Sequence, residues 1–106
     1  MTYNILVTPE AETDLKEIVE YYAFYGENLA YYFIDSYESV IWKIENTPFV
    51  FREVRKGTRR VQMKKFPYSV FFTLMENDLH ILCVIHQKRN PSIWKQRIKE
   101  FNKRNK

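Results

Sequence analysis

Residues 59–86 read RRVQMKKFPYSVFFTLMENDLHILCVIH, and the period of this stretch decides the fold. Residues 59–65 alternate, with Val61 and Met63 on one side and Arg60, Gln62 and Lys64 on the other. That two-residue repeat is the mark of a half-buried strand. Phe66-Pro67-Tyr68 turns the chain, and residues 69–75 and 79–86 follow as strands joined through Glu76-Asn77-Asp78. Residues 79–85 are apolar on both faces apart from His80, the pattern of a strand inside a sheet.

Upstream the period changes to that of helices. Residues 3–7 form a short opening strand, after which Thr8 caps a helix, Pro9 suits its first turn, and Glu10, Glu12 and Asp14 favour its positive end. Ala11, Leu15, Ile18, Val19 and Tyr22 recur at helical spacing until Gly26 stops them. A second helix starts near Asn28, with Leu29, Phe33, Tyr37, Val40, Ile41 and Ile44 as its buried stripe, and Thr47-Pro48 ends it. The acidic residues of this antiparallel hairpin are expected mostly on its outer faces. Downstream, Asn90-Pro91 opens a last helix through about residue 102, with Ile93, Trp94, Ile98 and Phe101 as its apolar side. The order β-α-α-β-β-β-α is an α+β fold, a helical hairpin packed on a largely antiparallel sheet, in one domain over residues 1–106.

Charge is divided along the chain. Residues 1–51 carry Lys16 and Lys43 against nine carboxylates, a balance of −7. Residues 52–106 carry fifteen Lys and Arg against four carboxylates, a balance of +11. Such asymmetry points to an anionic partner, either a nucleic acid or an acidic protein. The late strands and terminal segment are expected to gather these cations into one patch. The single Cys83 excludes an internal disulfide and a thiolate-rich zinc site, and reads as a core residue. No metal or cofactor is expected. No apolar run approaches the ~18 residues of a membrane span, and no cleavable signal is evident, so a soluble cytoplasmic protein is expected.

In order, several segments together resemble the RelE/ParE superfamily of toxins from type II toxin–antitoxin modules. Residues 11–22 are similar to the family's first helix, and Ala30-Tyr31-Tyr32-Phe33 with Pro48 to its second helix and exit. Gly57-Thr58-Arg59-Arg60, then Phe66-Pro67-Tyr68-Ser69-Val70-Phe71-Phe72, resembles its central hairpin. Residues 81–85, then His86-Gln87-Lys88-Arg89-Asn90-Pro91 and Trp94, resemble its terminal strand and tail. The resemblance implies a growth inhibitor neutralised by a cognate antitoxin, whose one segment wraps the toxin while its other end usually binds operator DNA. It implies two possible activities. RelE-type members cut mRNA on the ribosome, with basic residues and a Tyr, His or carboxylate near the scissile phosphate. ParE-type members instead poison DNA gyrase and lack most of that set.

RNA cleavage through the 2′-hydroxyl needs a base, an acid and cations to stabilise the phosphate, with no metal. His86, Arg60 and Arg89 are the candidate catalytic residues, and Arg59, Lys64, Lys65 and Tyr68 the candidate nucleic-acid or target-binding ones. Arg can grip phosphate through paired hydrogen bonds, His titrates near neutrality, and Tyr68 could stack on a base or give a proton. Against this stand simpler roles. Arg59 and Arg60 point to opposite faces of a regular strand, so one is structural, paired with an acid of the helical hairpin. His80 shares its face with His86 but reads as a surface residue. Tyr21, Tyr22, Tyr25, Tyr31, Tyr32 and Tyr37 read as helix-packing residues, and Glu53 is a poor candidate base. No Tyr follows His86 and Arg89, which makes the tail closer to the ParE-like members. The alternative is a basic nucleic-acid-binding or protein-interaction module without catalysis. Partners are thus an antitoxin and either gyrase or ribosome-bound mRNA, with no membrane.

Overall fold

The computed structural model describes residues 3–105. Strand β1 (Asn4–Val7) leads into helix α1 (Pro9–Tyr25), and Gly26 passes directly to α2 (Glu27–Asn46). A short 3-10 turn (Pro48–Val50) precedes four strands: β2 (Arg52–Arg55), β3 (Thr58–Gln62), β4 (Tyr68–Met75) and β5 (Asp78–His86). Helix α3 (Ser92–Arg104) closes the chain. The sheet order is β1-β5-β4-β3-β2, with β1 parallel to β5 and the remaining neighbours antiparallel. The α+β class and the hairpin-on-sheet arrangement are as read from the sequence. The added element is β2, whose Arg-Glu-Val-Arg has only one apolar position and no hydrophobic period to betray it. It forms by pairing with β3, and its charged side chains suit an edge strand.

Local chemistry starts α1 as expected. Thr8 Oγ1 accepts the Ala11 N–H at 3.2 Å. The same residue ties the end of β1 to β5, because its N–H and its hydroxyl both donate to the Ile81 carbonyl, at 3.1 and 3.0 Å. The sheet is covered on both faces. On one, Ala11 and Ile18 of α1 and Phe33, Val40 and Ile44 of α2 pack on Val61, Val70, Phe72, Ile81 and Val84. On the other, Ile98 and Phe101 of α3 pack on Phe71, Leu82, Cys83 and Ile85. Burying each large aliphatic or aromatic side chain contributes about 1.5–3 kcal/mol, so β4 and β5, sealed on both sides, anchor the fold. Leu29 departs from the expected stripe: it is exposed, and Ala30 takes the buried position.

One irregularity in β5 reverses a sequence expectation. Phe72 pairs with Ile81 and Phe71 with Cys83, leaving Leu82 as an extra residue without a partner. This bulge shifts the strand's alternation by one. Ile81 and Val84 therefore face the hairpin, while Leu82, Cys83 and Ile85 face α3. His80 and His86 end on opposite faces as a result. The His80 ring lies 5.0 Å from Phe101 of α3, and the His86 ring 5.3 Å from Tyr68, which packs with the hairpin cluster.

Candidate target-binding site

Strand β1 ends opposite Ile81, so β5 continues from Leu82 with no strand beside it on that edge among the described residues. Unpaired main-chain groups at a buried edge are costly, and two side chains occupy them here. Asp14 Oδ2 accepts the Val84 N–H at 3.1 Å, and Arg97 Nη1 donates to the Leu82 carbonyl at 3.2 Å. The two side chains also meet as a forked pair, Nη1 to Oδ2 at 2.9 Å and Nη2 to Oδ1 at 2.8 Å. Hydrogen bonding to Asp14 holds the Arg97 guanidinium above its ordinary pKa. The hairpin acids are expected mostly on its outer faces, and Asp14 is an exception. It turns inward because α3 brings a guanidinium over the same edge, a pairing that no local spacing could announce.

The Asp14–Arg97 pair forms one wall of a cleft of about 720 Å³ between α1, the end of β5 and the start of α3. Tyr21, Tyr22, Tyr68, His86 and Arg89 also line it. A recess of about 70 Å³ on the α3 side is lined by Arg60, His86, Arg89 and Trp94, with Trp94 stacked on Phe71 at 5.0 Å. His86, Arg60 and Arg89 are thus brought together at one end of the sheet, with Tyr68 beside them. Among the described residues, neither Arg60 nor Arg89 is in an ion pair.

The proton chemistry of this cleft is constrained. The Lys88 backbone N–H donates to His86 Nδ1 at 3.1 Å. An imidazole that accepts at Nδ1 and is neutral carries its proton on Nε2, which leaves no free lone pair facing a substrate. Burial, and next the neighbouring Tyr22 hydroxyl, push the Tyr68 phenol up to about 12. It stays protonated at neutral pH and is a hydrogen-bond donor, not a base.

The other candidates lie elsewhere. Arg59 is the structural member of its pair: Nη1 donates to the carbonyls of Phe51 at 2.7 Å and Phe49 at 3.4 Å, and its guanidinium lies over the Phe49 ring. Its acidic neighbour is Glu53 of β2, at 3.9 Å, and not a residue of the helical hairpin. Glu53 in turn accepts the Gly57 N–H at 3.2 Å, a turn-holding role. Lys64 and Lys65 follow β3 and line a separate groove beside α2. The cations of the second half therefore do not form one patch. Arg59, Arg97 and Arg104 are engaged by Glu53, Asp14 and Glu10, Arg60 and Arg89 line the recess, Lys64 and Lys65 the groove, Lys99 and Lys103 a face of α3, and Arg52 and Arg55 lie on edge strand β2. Lys106 lies outside the described residues.

The tyrosines also divide. Tyr22 and Tyr37 pack with the core, whereas Tyr21, Tyr25, Tyr31 and Tyr32 are more than half exposed, as is Phe24. Tyr21 and Tyr25 are one turn apart and fall off the face defined by Ala11, Ile18 and Tyr22, so helical spacing could have flagged them. Cys83 is buried against α3, and desolvation raises its thiol pKa, consistent with a core role. Among the described residues, no group of three His, Cys, Asp or Glu could hold a metal ion, and no helix is long and apolar enough to cross a membrane.

A hairpin of helices and a closing helix on either side of a five-stranded mixed sheet is the architecture of the ParE-like toxins. The family model described as ParE toxin of type II toxin-antitoxin system, parDE, matches residues 5–91, and the chain belongs to that family. Helix α3 lies beyond the matched stretch. Ten solved chains are similar in structure. One, from the chromosomal ParDE toxin–antitoxin system of P. aeruginosa, aligns with a TM-score of 0.70 at 17% identity, covering 80% of this chain and 96% of that one. No curated protein matches by sequence.

Proposed function

We propose that this chain arrests growth by binding DNA gyrase through the cleft at the end of β5, without chemistry of its own, until a cognate antitoxin neutralises it. The toxin class rests on family membership. The observation that carries the non-catalytic reading is the hydrogen bond from Lys88 N–H to His86 Nδ1. It consumes the one lone pair that a neutral-pH base would need, and Tyr68, with its pKa near 12, supplies no replacement. Arg60 and Arg89 then act as grips for anionic groups, through planar guanidinium hydrogen bonds to carboxylate or phosphate.

The test uses purified gyrase and plasmid DNA. Wild-type protein is expected to trap cleaved gyrase–DNA complexes, and Arg60→Glu combined with Arg89→Glu is expected to abolish trapping while leaving the fold intact. A gyrase reaction indifferent to the wild-type protein would remove the proposal.

A second reading is favoured by the convergence of Arg60, Arg89 and His86 on one recess: a metal-independent endoribonuclease acting on ribosome-bound mRNA. It requires the His86 ring to release Lys88 and present a free nitrogen. A basic module that only binds nucleic acid would instead be harmless when expressed and would lose affinity steeply with salt.

A further inference from the structure

Helix α3 follows the stretch that the family model matches, so family membership assigns it no role. Its apolar side is turned inward: Ile98 and Phe101 are buried against the sheet, and Trp94 stacks on Phe71 at 5.0 Å. Lys95, Lys99 and Lys103 are exposed on the side turned away from the sheet. Spaced four residues apart, they fall within an arc of about 80° and along about 12 Å of the helix axis. Two ion pairs to α1, Arg97 with Asp14 and Arg104 with Glu10, hold the helix, and with it the row of lysines, in place.

This row breaks two local rules of helix electrostatics. Lys95 with Lys99, and Lys99 with Lys103, are like-charge pairs one turn apart, which repel. Lys95 is also the fourth residue of α3, near the end whose dipole disfavours cations, and the first turn holds no acid. None of the three lysines is in an ion pair among the described residues, and Glu100 is the only acid of the helix. Departures of this kind, without an internal gain, mark a place where a ligand supplies the missing charge. The rest of the exposed side is Ser92, Gln96 and Asn102, with no apolar residue among them. A protein partner would need an apolar centre to its interface, and a nucleic-acid single strand would need rings on which to stack its bases. The rings of α3 are already engaged, Phe101 by the core and Trp94 by Phe71 and by Lys95 Nζ, 5.7 Å from its centroid. The phosphates of a duplex need neither feature, and over 12 Å a duplex presents about seven charges.

We propose that Lys95, Lys99 and Lys103 grip the phosphate backbone of duplex DNA, namely the DNA that gyrase holds when the β5-end cleft is docked on it. The duplex contact comes from α3 alone, and its setting on gyrase rests on the function proposed above. Trp94 lines the recess that holds Arg60 and Arg89, so the row starts beside the target-binding residues and leads away from them along α3. The lysines add affinity without reading sequence, because phosphate contacts position a protein on DNA and carry no base information.

The probe is a fluorescent duplex of about 20 base pairs and mixed sequence, titrated with the full-length protein between about 50 and 200 mM salt. Lys95→Gln with Lys99→Gln and Lys103→Gln should weaken binding at least about thirtyfold at the low end and reduce the log–log salt slope by about 2.7, or about 0.9 for each lost phosphate contact. Arg52→Gln with Arg55→Gln and Lys56→Gln removes the same charge from β2 and the turn after it, and should leave the slope unchanged. Both triple variants should melt like the wild type. If the α3 variant does not, Lys99→Gln alone carries the test, with a slope reduced by about 0.9. No duplex binding by the wild type, equal losses in the two triple variants, poly-glutamate displacing the duplex at equal charge concentration, or single-stranded RNA bound more tightly than the duplex would each overturn the proposal. With gyrase and plasmid DNA, the α3 variant should need at least about tenfold more protein to trap cleaved complexes, and an unchanged requirement would overturn it too. Duplex binding through α3 by a wild-type protein that traps no gyrase would remove the function proposed above and leave the DNA contact standing.

Discussion

The cleft at the end of β5 sets Arg89 and Arg97 against Asp14 and Glu17, whereas the groove along α2 sets Lys43, Lys64 and Lys65 against Asp35 alone, and the two differ in how their cations are held. In the cleft, Arg97 is locked to Asp14 and the β5 backbone, and His86 Nδ1 is engaged by Lys88. In the groove, Lys43, Lys64 and Lys65 have no acidic partner among the described residues. A positive charge thus has two physical uses in one small protein. One satisfies a sheet edge and fixes a helix; the other stands unpaired among the described residues. Counting Lys and Arg along the sequence cannot separate them, because the separation depends on contacts 70 or 83 residues apart.

Substitutions at the boundary between the two regions should break both. Phe33 is fully buried and its ring stands 5.4 Å from Phe66 and 5.7 Å from Tyr68, which belong to the groove and the cleft respectively. Phe33→Ala is expected to cost about 3–5 kcal/mol in urea unfolding, and to impair gyrase binding with it. Gyrase binding unchanged at that loss of stability would show that the ring cluster does not shape the cleft.

Removing a cation from each region should sharpen the contrast. Arg97→Ala leaves the Asp14 carboxylate and the Leu82 carbonyl without their partner, at 13% side-chain exposure for Asp14. A loss of about 2–3 kcal/mol is expected by the same unfolding measurement. Lys64→Ala and Lys65→Ala, both exposed, should stay within about 0.5 kcal/mol of the wild type. Equal losses at the two places would erase the distinction.

Within α2 itself, the Tyr37 hydroxyl is buried with no hydrogen-bond partner among the described residues, and burial pushes its pKa up to about 12. Tyr37→Phe should therefore be neutral or stabilising by about 1 kcal/mol in thermal unfolding. A destabilisation of that size would mean that the hydroxyl does have a partner. The smallest effect belongs to the second inter-helix ion pair. Its hydrogen bond with Arg104 holds Glu10 below the ordinary carboxylate pKa. The stabilisation is fully present above the ordinary carboxylate range and is lost as pH falls through the lowered value. Exposed as the pair is, the effect is no more than about 0.5 kcal/mol. Glu10→Gln should flatten the acid limb of a stability–pH curve by that amount, and an unchanged limb would show the pair to be idle.

Much of the fold was legible because its signals are local. Thr8 and Pro9 start α1, Gly26 divides the hairpin, Pro48 ends α2, and the apolar run of β5 marks an inner strand. β2 was missed because its stability comes from pairing with β3 and not from its own side chains. The bulge at Leu82 was invisible for a related reason: an extra residue in a continuous apolar run leaves no mark on its periodicity, yet it sends His80 and His86 to opposite faces. At the site, Tyr68 and His86 meet as the paired ends of β4 and β5 with Arg89 three residues on, which their places in the sequence suggest, whereas Arg60 joins them from the middle of β3. The engagement of Arg59 by Glu53 and two carbonyls, and of Arg97 by Asp14, did not, since each partner is set by tertiary folding.

A β5-end cleft that binds without catalysing does not need the His86 imidazole, so the decisive variant is His86→Ala. Cells expressing wild-type and His86→Ala protein would be compared for growth arrest and for the integrity of their transcripts. Arrest by both proteins is expected, to within about threefold in the dose required, with transcripts intact. Cut transcripts with the wild type and whole ones with His86→Ala, together with restored growth, would contradict it.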